Sequence, residues 1–168
     1  MNKPLQKIII MGDSGRGKST LAPRLSEKLG IPYHSTDDYF YEVKFSKPRD
    51  RQKSIEEISK LFHESNWIVE GTTHHLLEQG LAPSDIIIHL TYKNIFYQWA
   101  NQIKRHFQRN DESLIGLYQL MKHSLYKKYG WGYKKGKVNN VQLVAPYKEK
   151  VVTLSSFKEI DNFVNNLK

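Results

Sequence analysis

The sequence predicts a single α/β domain in which a parallel sheet is covered by helices on both faces, a three-layer architecture. Three observations carry this. Short apolar runs alternate with stretches of helical periodicity, the central runs are apolar nearly throughout, and the first run leads straight into a glycine-rich loop that opens a helix.

Residues 7–11 form an apolar run ending on Gly12, and residues 19–29 repeat Leu21, Leu25 and Leu29 at helical spacing. Gly30-Ile31-Pro32 stops that helix, and residues 33–35 read as a second strand that delivers Asp37 and Asp38 just past its C-terminal end. A helix over 54–64 gathers Ile55, Ile58, Leu61 and Phe62 on one face. Residues 67–69 and 85–90 are the third and fourth strands. A helix over 95–107 is expected to bury Phe96, Trp99, Ile103 and Phe107, with Gln98, Gln102, Arg105 and Arg109 on the opposite face. A further helix over 112–129 has Leu114, Leu117, Met121 and Leu125 as its apolar stripe. Residues 130–146 are rich in glycine and lysine and receive no element. Residues 151–154 are a fifth strand, and Ser156 with Glu159 forms a capping-box signature for a last helix through Ile160, Phe163, Val164 and Leu167.

At 168 residues, 39% hydrophobic and 26% charged, the chain fits one globular domain spanning 1–168 with its own core. With no cysteine, disulfides, thiolate metal sites and a cysteine nucleophile are excluded together. The apolar runs are too short to cross a bilayer and the N-terminus lacks the apolar core of a signal peptide, so no membrane partner and a cytoplasmic location are expected. A formal charge of +9 predicts attraction to polyanions such as nucleotides, nucleic acid or an anionic membrane surface, without choosing among them.

The most specific signal is Gly12-Asp13-Ser14-Gly15-Arg16-Gly17-Lys18-Ser19, the full Walker A spacing between a strand and a helix. A bound phosphate needs several donors pointing inward at once. Glycines let the backbone curl so that its amides provide them, and the N-terminus of the next helix adds more. Lys18 is placed to reach the β- and γ-phosphates, Ser19 to offer a hydroxyl to Mg²⁺, and Thr20 to help at the α-phosphate. The motif marks a nucleoside triphosphate cradle but not the reaction, and no guanine-reading Asn-Lys-x-Asp follows it.

Asp37 falls on the sheet edge that carries the phosphate loop, where it can accept a proton from an acceptor hydroxyl, orient a Mg²⁺-bound water, or simply cap a helix. Glu70 ends the third strand on that edge and is a candidate to hold the metal's water. Arg105 and Arg109, four apart, are like charges that repel unless an anion lies between them. Lys104 is expected to be solvated, Arg49 and Arg51 are candidates for an acceptor phosphate, and His74-His75 reads as loop surface, not a metal site. Residues 126–135 interleave aromatic and basic side chains, a pattern suited either to nucleic acid or to a packed loop with solvated lysines.

Taken together, these residues resemble the adenylate-kinase-like small P-loop kinases, and most closely the bacterial topology modulation proteins, also called AAA family ATPases. The resemblance runs from Ile8 through Ser19, through Thr36-Asp37-Asp38-Tyr39-Phe40 and Lys47-Pro48-Arg49, Trp67-Ile68-Val69-Glu70-Gly71, and Ala82-Pro83-Ser84-Asp85 with the apolar run after it. It continues over the basic helix through Arg105 and Arg109 and the last strand into Ser156 and Glu159. The resemblance implies a P-loop NTPase fold with a five-stranded parallel sheet, ATP with Mg²⁺ on the loop, and a small-molecule acceptor above the sheet. It also implies a small helical lid, about 104–113, whose arginines close over the transferring phosphoryl group. Glu70 stands where Asp is usual, and Thr72-Thr73 replaces Asn-Tyr. The implied activity is a kinase acting on a nucleoside, nucleotide or other hydroxyl compound; an ATPase associated with DNA and a nucleotide sensor without turnover are the alternatives.

Overall fold

The computed structural model describes residues 4–43, 47–109, 114–129 and 138–167, and within them the side chains of all but Val43, Arg105, Gln108, Arg109, His123 and residues 126–129. The side chains of the proposed lid arginines and of the whole basic aromatic segment therefore lie outside the described set.

In chain order the elements are β1 (Lys7–Gly12), α1 (Lys18–Leu29), β2 (Tyr33–Ser35), α2 (Thr36–Phe40), a hairpin of β3 (Tyr41–Val43) and β4 (Lys47–Pro48), and α3 (Arg51–Phe62). There follow β5 (Trp67–Gly71), α4 (His74–Leu81), β6 (Ile86–Leu90), α5 (Ile95–Arg109), α6 (Leu114–Tyr129) and α7 (Asn140–Val144). A 3₁₀ turn (Ala145–Lys150), β7 (Val151–Leu154) and α8 (Phe157–Asn166) complete the chain. The sheet has five parallel strands in the order β2-β5-β1-β6-β7. This is the predicted sheet, and the small elements α2, the β3–β4 hairpin, α4 and α7 are additions to it.

The pleat explains why the strands are apolar throughout. Along β1, Ile8 and Ile10 face a core built with Leu21 and Leu25 of α1 and Ile160 and Val164 of α8. Ile9 and Met11 face the opposite core, made with Ile58, Leu61 and Phe62 of α3 and Leu76, Leu77 and Leu81 of α4. Both faces are thus covered, as right-handed β-α-β crossovers to parallel neighbours require.

Two expectations are corrected. Helix α5 carries its polar face inward: Gln98 and Gln102 are each 3% exposed, while Phe96 and Phe107 are 67% and 74% exposed and Ile103 is also exposed. Burial of the Gln102 amide is offset at its Nε2 end by a bond within the α5–α6 pair. Gln102 Nε2 donates to Ser124 Oγ at 2.8 Å, and Ser124 Oγ donates to the Leu120 carbonyl at 2.9 Å. Trp99 Nε1 adds a bond to the Met121 carbonyl at 3.2 Å. On α6 Leu117 is buried, but Leu114 is exposed and not part of a buried stripe. The second correction concerns His74-His75, which open α4 instead of lying in a loop. His74 Nε2 donates to Asn140 Oδ1 at 2.6 Å, tying α4 to α7, and burial lowers the pKa of His75. Among the described residues no helix is long and apolar enough to cross a membrane.

Asp85 anchors the start of the central strand, one Oδ2 accepting the amides of Gln6 and Lys7 at 2.9 Å each, while its own amide bonds the Lys7 carbonyl at 2.8 Å. Asp85→Ala should therefore destabilise the fold by roughly 1–3 kcal/mol through two orphaned amides, read as a lower urea midpoint at unchanged m-value.

Candidate functional site

Parallel strands end level, and β1 is the innermost of them. Gly12 pairs with Leu90 of β6, Met11 with Gly71 of β5, and Ser35 of β2 with Glu70. All the candidate residues after these strands are thereby delivered to one edge of the sheet. Gly12 has φ +140°, and a Cβ there would lie 2.0 Å from the Leu90 carbonyl oxygen, so no other residue fits. Gly15 and Gly17 also take positive φ, and Gly17 caps α1 without a side-chain bond. The N-terminal turn of α1 is left open toward the loop, as anion binding requires.

The cations of the loop are committed differently from expectation. Lys18 is buried and its Nζ donates to the carbonyls of Gly12 at 3.1 Å and Asp13 at 3.0 Å, the loop's own acceptors. Arg16 is only 2% exposed. Its guanidinium lies 4.2 Å from the Tyr92 ring centroid and 5.5 Å from that of Phe157, and its Nε donates to the Thr91 carbonyl. Burial pulls the Arg16 pKa down, opposed by Tyr92, Glu159 and Asp13. Tyr92 in turn donates its hydroxyl to the Gly15 carbonyl at 2.7 Å. The Arg16 side chain therefore fastens the loop to the ends of β6 and α8, and only its backbone belongs to the predicted cradle.

Phe157 is held in place by the start of α8. Ser156 Oγ accepts the Glu159 amide at 3.2 Å, while the Glu159 carboxylate takes the amide of Ser155 at 2.6 Å and its hydroxyl at 3.0 and 3.1 Å. The predicted capping box forms with its return bond one residue early. The Ser155 bonds, with help from Lys93 at 3.3 Å, hold the Glu159 pKa down to about 2.

On the other wall, Ser35 caps α2 by accepting the Asp37 amide at 3.3 Å. The capping role open to Asp37 is thus taken by its neighbour, and Asp37 lines the cavity. Gly71 permits this arrangement: a Cβ there would lie 1.8 Å from Thr36 Oγ1, at the first position of α2. Glu70 is buried beside Ser35. Burial raises its pKa, the Lys18 charge and the Ser35 hydroxyl oppose the rise, and Asp37 and Asp38 add to it.

A cavity of about 790 Å³ joins the two walls, lined among others by Lys18, Ser19, Asp37, Asp38, Glu70 and Gln102. The structure thus brings Ser14 through Thr20, Asp37 and Glu70 together. Lys104 lines the cavity as well, though expected to be merely solvated. Arg105 and Arg109 are on α5, seven residues beyond Gln98 and Gln102, but their side chains are outside the described set. Arg49 is paired with Glu57 on α3 and, like Arg51, is not among the residues lining the cavity. Sequence reasoning missed Tyr92, Phe157 and Gln102; the first two flank strand ends as single aromatics with no motif, and the third was assigned to the wrong face. Among the described residues no three His, Cys, Asp or Glu side chains converge as a metal site. A cation here would need phosphate oxygens for most of its shell, which fits a nucleotide-borne Mg²⁺ with Ser19 and Glu70 beside it.

No family model matches the chain. In sequence, 88 residues are 32% identical to an adenylate kinase of Mycobacterium leprae, covering 48% of this chain and 42% of that protein. A shorter match of 56 residues is 43% identical to a cytidylate kinase of Aeropyrum pernix, covering 33% of this chain and 30% of that one. The chain thus spans less than half the length of these curated relatives in the match. In structure, a shikimate kinase from Bacteroides thetaiotaomicron superposes with TM-score 0.57 at 16% identity, covering 97% of this chain and 96% of that chain. A gluconokinase from Sinorhizobium meliloti gives TM-score 0.57 at 12% identity, over 97% and 90%. The fold is the one these shikimate kinase and gluconokinase structures share.

Because burial favours the protonated form of Glu70, its contribution to stability is present below the ordinary value of 4.5 and is lost as the pH rises through its raised folded-state pKa. Glu70→Gln should accordingly melt above wild type at pH 7–8 and no higher than wild type at pH 4, in parallel thermal scans across that range.

Proposed function

We propose that this chain is an ATP-dependent phosphotransferase that binds ATP on residues 12–19 and passes its γ-phosphoryl group to a hydroxyl of a small acceptor. The observation that carries this is the single cavity in which the phosphate loop, Lys18, Asp37 and Glu70 converge. At about 790 Å³ it is large enough to hold more than a triphosphate. The partial match to adenylate and cytidylate kinases supports the same reading.

In this reading the loop amides and the open end of α1 bind the phosphates, and Lys18 exchanges the carbonyls of Gly12 and Asp13 for phosphate oxygens. Ser19 and Glu70 would hold a nucleotide-borne Mg²⁺, which when bound would supply charge neutralisation on the phosphates. Asp37 receives the proton of the attacking hydroxyl, its backbone fixed by the Ser35 cap. Arg16 keeps the loop in its curled form by holding Thr91, Tyr92 and Phe157. Arg105 and Arg109 are assigned to closing over the transferring group, as the family resemblance implies.

Two outcomes are expected in a transfer assay with γ-labelled ATP and a pool of nucleosides, nucleotides and small metabolites. Lys18→Ala should abolish labelled product, and Asp37→Asn should lower kcat about 10²- to 10⁴-fold with the KM for ATP little changed. ATP hydrolysis stimulated by DNA, with no labelled acceptor, would instead select the DNA-associated ATPase.

A further inference from the structure

The segment that ends β6 meets the phosphate loop at successive residues. The Leu90 carbonyl lies against Gly12, the Thr91 carbonyl accepts from Arg16 Nε, and the Tyr92 hydroxyl donates to the Gly15 carbonyl at 2.7 Å. The segment is itself anchored, because the Thr91 amide bonds the Leu154 carbonyl of β7 at 3.0 Å. Tyr92 is 6% exposed and its ring lies against the Arg16 guanidinium, so the hydroxyl is brought to the loop by a side chain that packing holds in place.

The bond to Gly15 fixes more than one carbonyl. The peptide joining Gly15 to Arg16 is planar and trans, so its C=O and N–H point in opposite directions. Among the described residues, Gly15 and Arg16 line the cavity and Tyr92 does not. The Tyr92 hydroxyl therefore takes the Gly15 carbonyl on the side of the loop away from the cavity, and the Arg16 amide is turned toward the cavity. Flipped, the same peptide would set a carbonyl oxygen where a phosphate oxygen has to bind, acceptor against acceptor. The glycines that let the loop curl also let that peptide turn over, so the choice between the two orientations has to come from outside the loop.

We propose that Tyr92 is a positioning residue of the phosphate site: its hydroxyl holds the Gly15–Arg16 peptide with the carbonyl outward and the amide inward, which makes the Arg16 N–H a donor to a phosphate oxygen. This rests on the nucleotide reading of the loop and adds to it a residue beyond the Walker A motif that sets the direction of the loop's donors. Tyr92 touches no ligand; it acts through the backbone of Gly15 and Arg16.

The test is one of binding and needs no acceptor. Wild type and Tyr92→Phe are titrated calorimetrically with a non-hydrolysable ATP analogue and with inorganic tripolyphosphate, each with Mg²⁺, and ¹H–¹⁵N spectra follow the Arg16 amide. Tyr92→Phe keeps the ring against Arg16 and removes only the hydroxyl. It should weaken both ligands by the same factor, about tenfold, the worth of one hydrogen bond. The Arg16 amide should move downfield on tripolyphosphate binding in the wild type, and less so in the variant. A lowered melting temperature with unchanged affinities would make Tyr92 a merely structural residue and overturn the inference. Weaker binding of the analogue with tripolyphosphate unaffected would overturn it too, since the effect would then lie outside the phosphates. A wild-type Arg16 amide that stays in place at saturating tripolyphosphate overturns it without recourse to any variant. If neither ligand binds the wild type, the nucleotide reading itself is refuted and the inference falls with it.

Discussion

The cleft depends on how closely β1 approaches β6 at its last residue. Gly12 lies against the Leu90 carbonyl with φ +140°, where any Cβ would overlap the oxygen. That approach keeps β1 in register with both neighbours to its very end, so that Gly12, Gly71 and Leu90 finish level and the chain turns out of the sheet at its centre. Gly71 repeats the device one strand over, where the missing side chain leaves room for Thr36 and hence for the start of α2. Two absent methyl groups thus set where the phosphate loop begins and where Asp37 stands.

Charge is distributed across the cleft so that the loop is rigid before any ligand arrives. Arg16 is buried without a carboxylate in contact among the described residues, an arrangement that is costly for a bare cation. The aromatic faces of Tyr92 and Phe157 and the Thr91 carbonyl offset that cost. They tie the loop to the ends of β6 and α8, while Lys18 is bonded to the loop's own carbonyls. Across the cavity the Glu70 charge is disfavoured by burial and favoured by Lys18, which couples the two walls.

Helix α5 shows why a strong amphipathic pattern does not settle its own orientation. The stripe through Phe96, Ile103 and Phe107 is evident in the sequence, and the ordinary expectation turns it inward. The helix instead borders the cavity with Asn101, Gln102 and Lys104, and the Nε2 end of the buried Gln102 amide is bonded to Ser124 of α6. Periodicity identifies two faces. Which of them is inside is decided by what the neighbouring elements offer, and Ser124 lies 22 residues away from Gln102.

By itself, the sequence determined the parallel sheet, the order of its strands along the chain, the phosphate loop and the side of the sheet on which Asp37 and Glu70 emerge. These follow from local rules: continuous apolar strands, glycines at fixed spacing, and strand ends that must share an edge. Only the tertiary structure decided the roles within that edge. It made Arg16 a fastener, because Tyr92 and Phe157 come from distant strand ends to receive it. It freed Asp37 from capping, because Ser35 does that work, and it buried the Gln102 carbonyl without a donor. Each of these depends on which side chains are neighbours across the fold, a property that spacing along the chain does not encode.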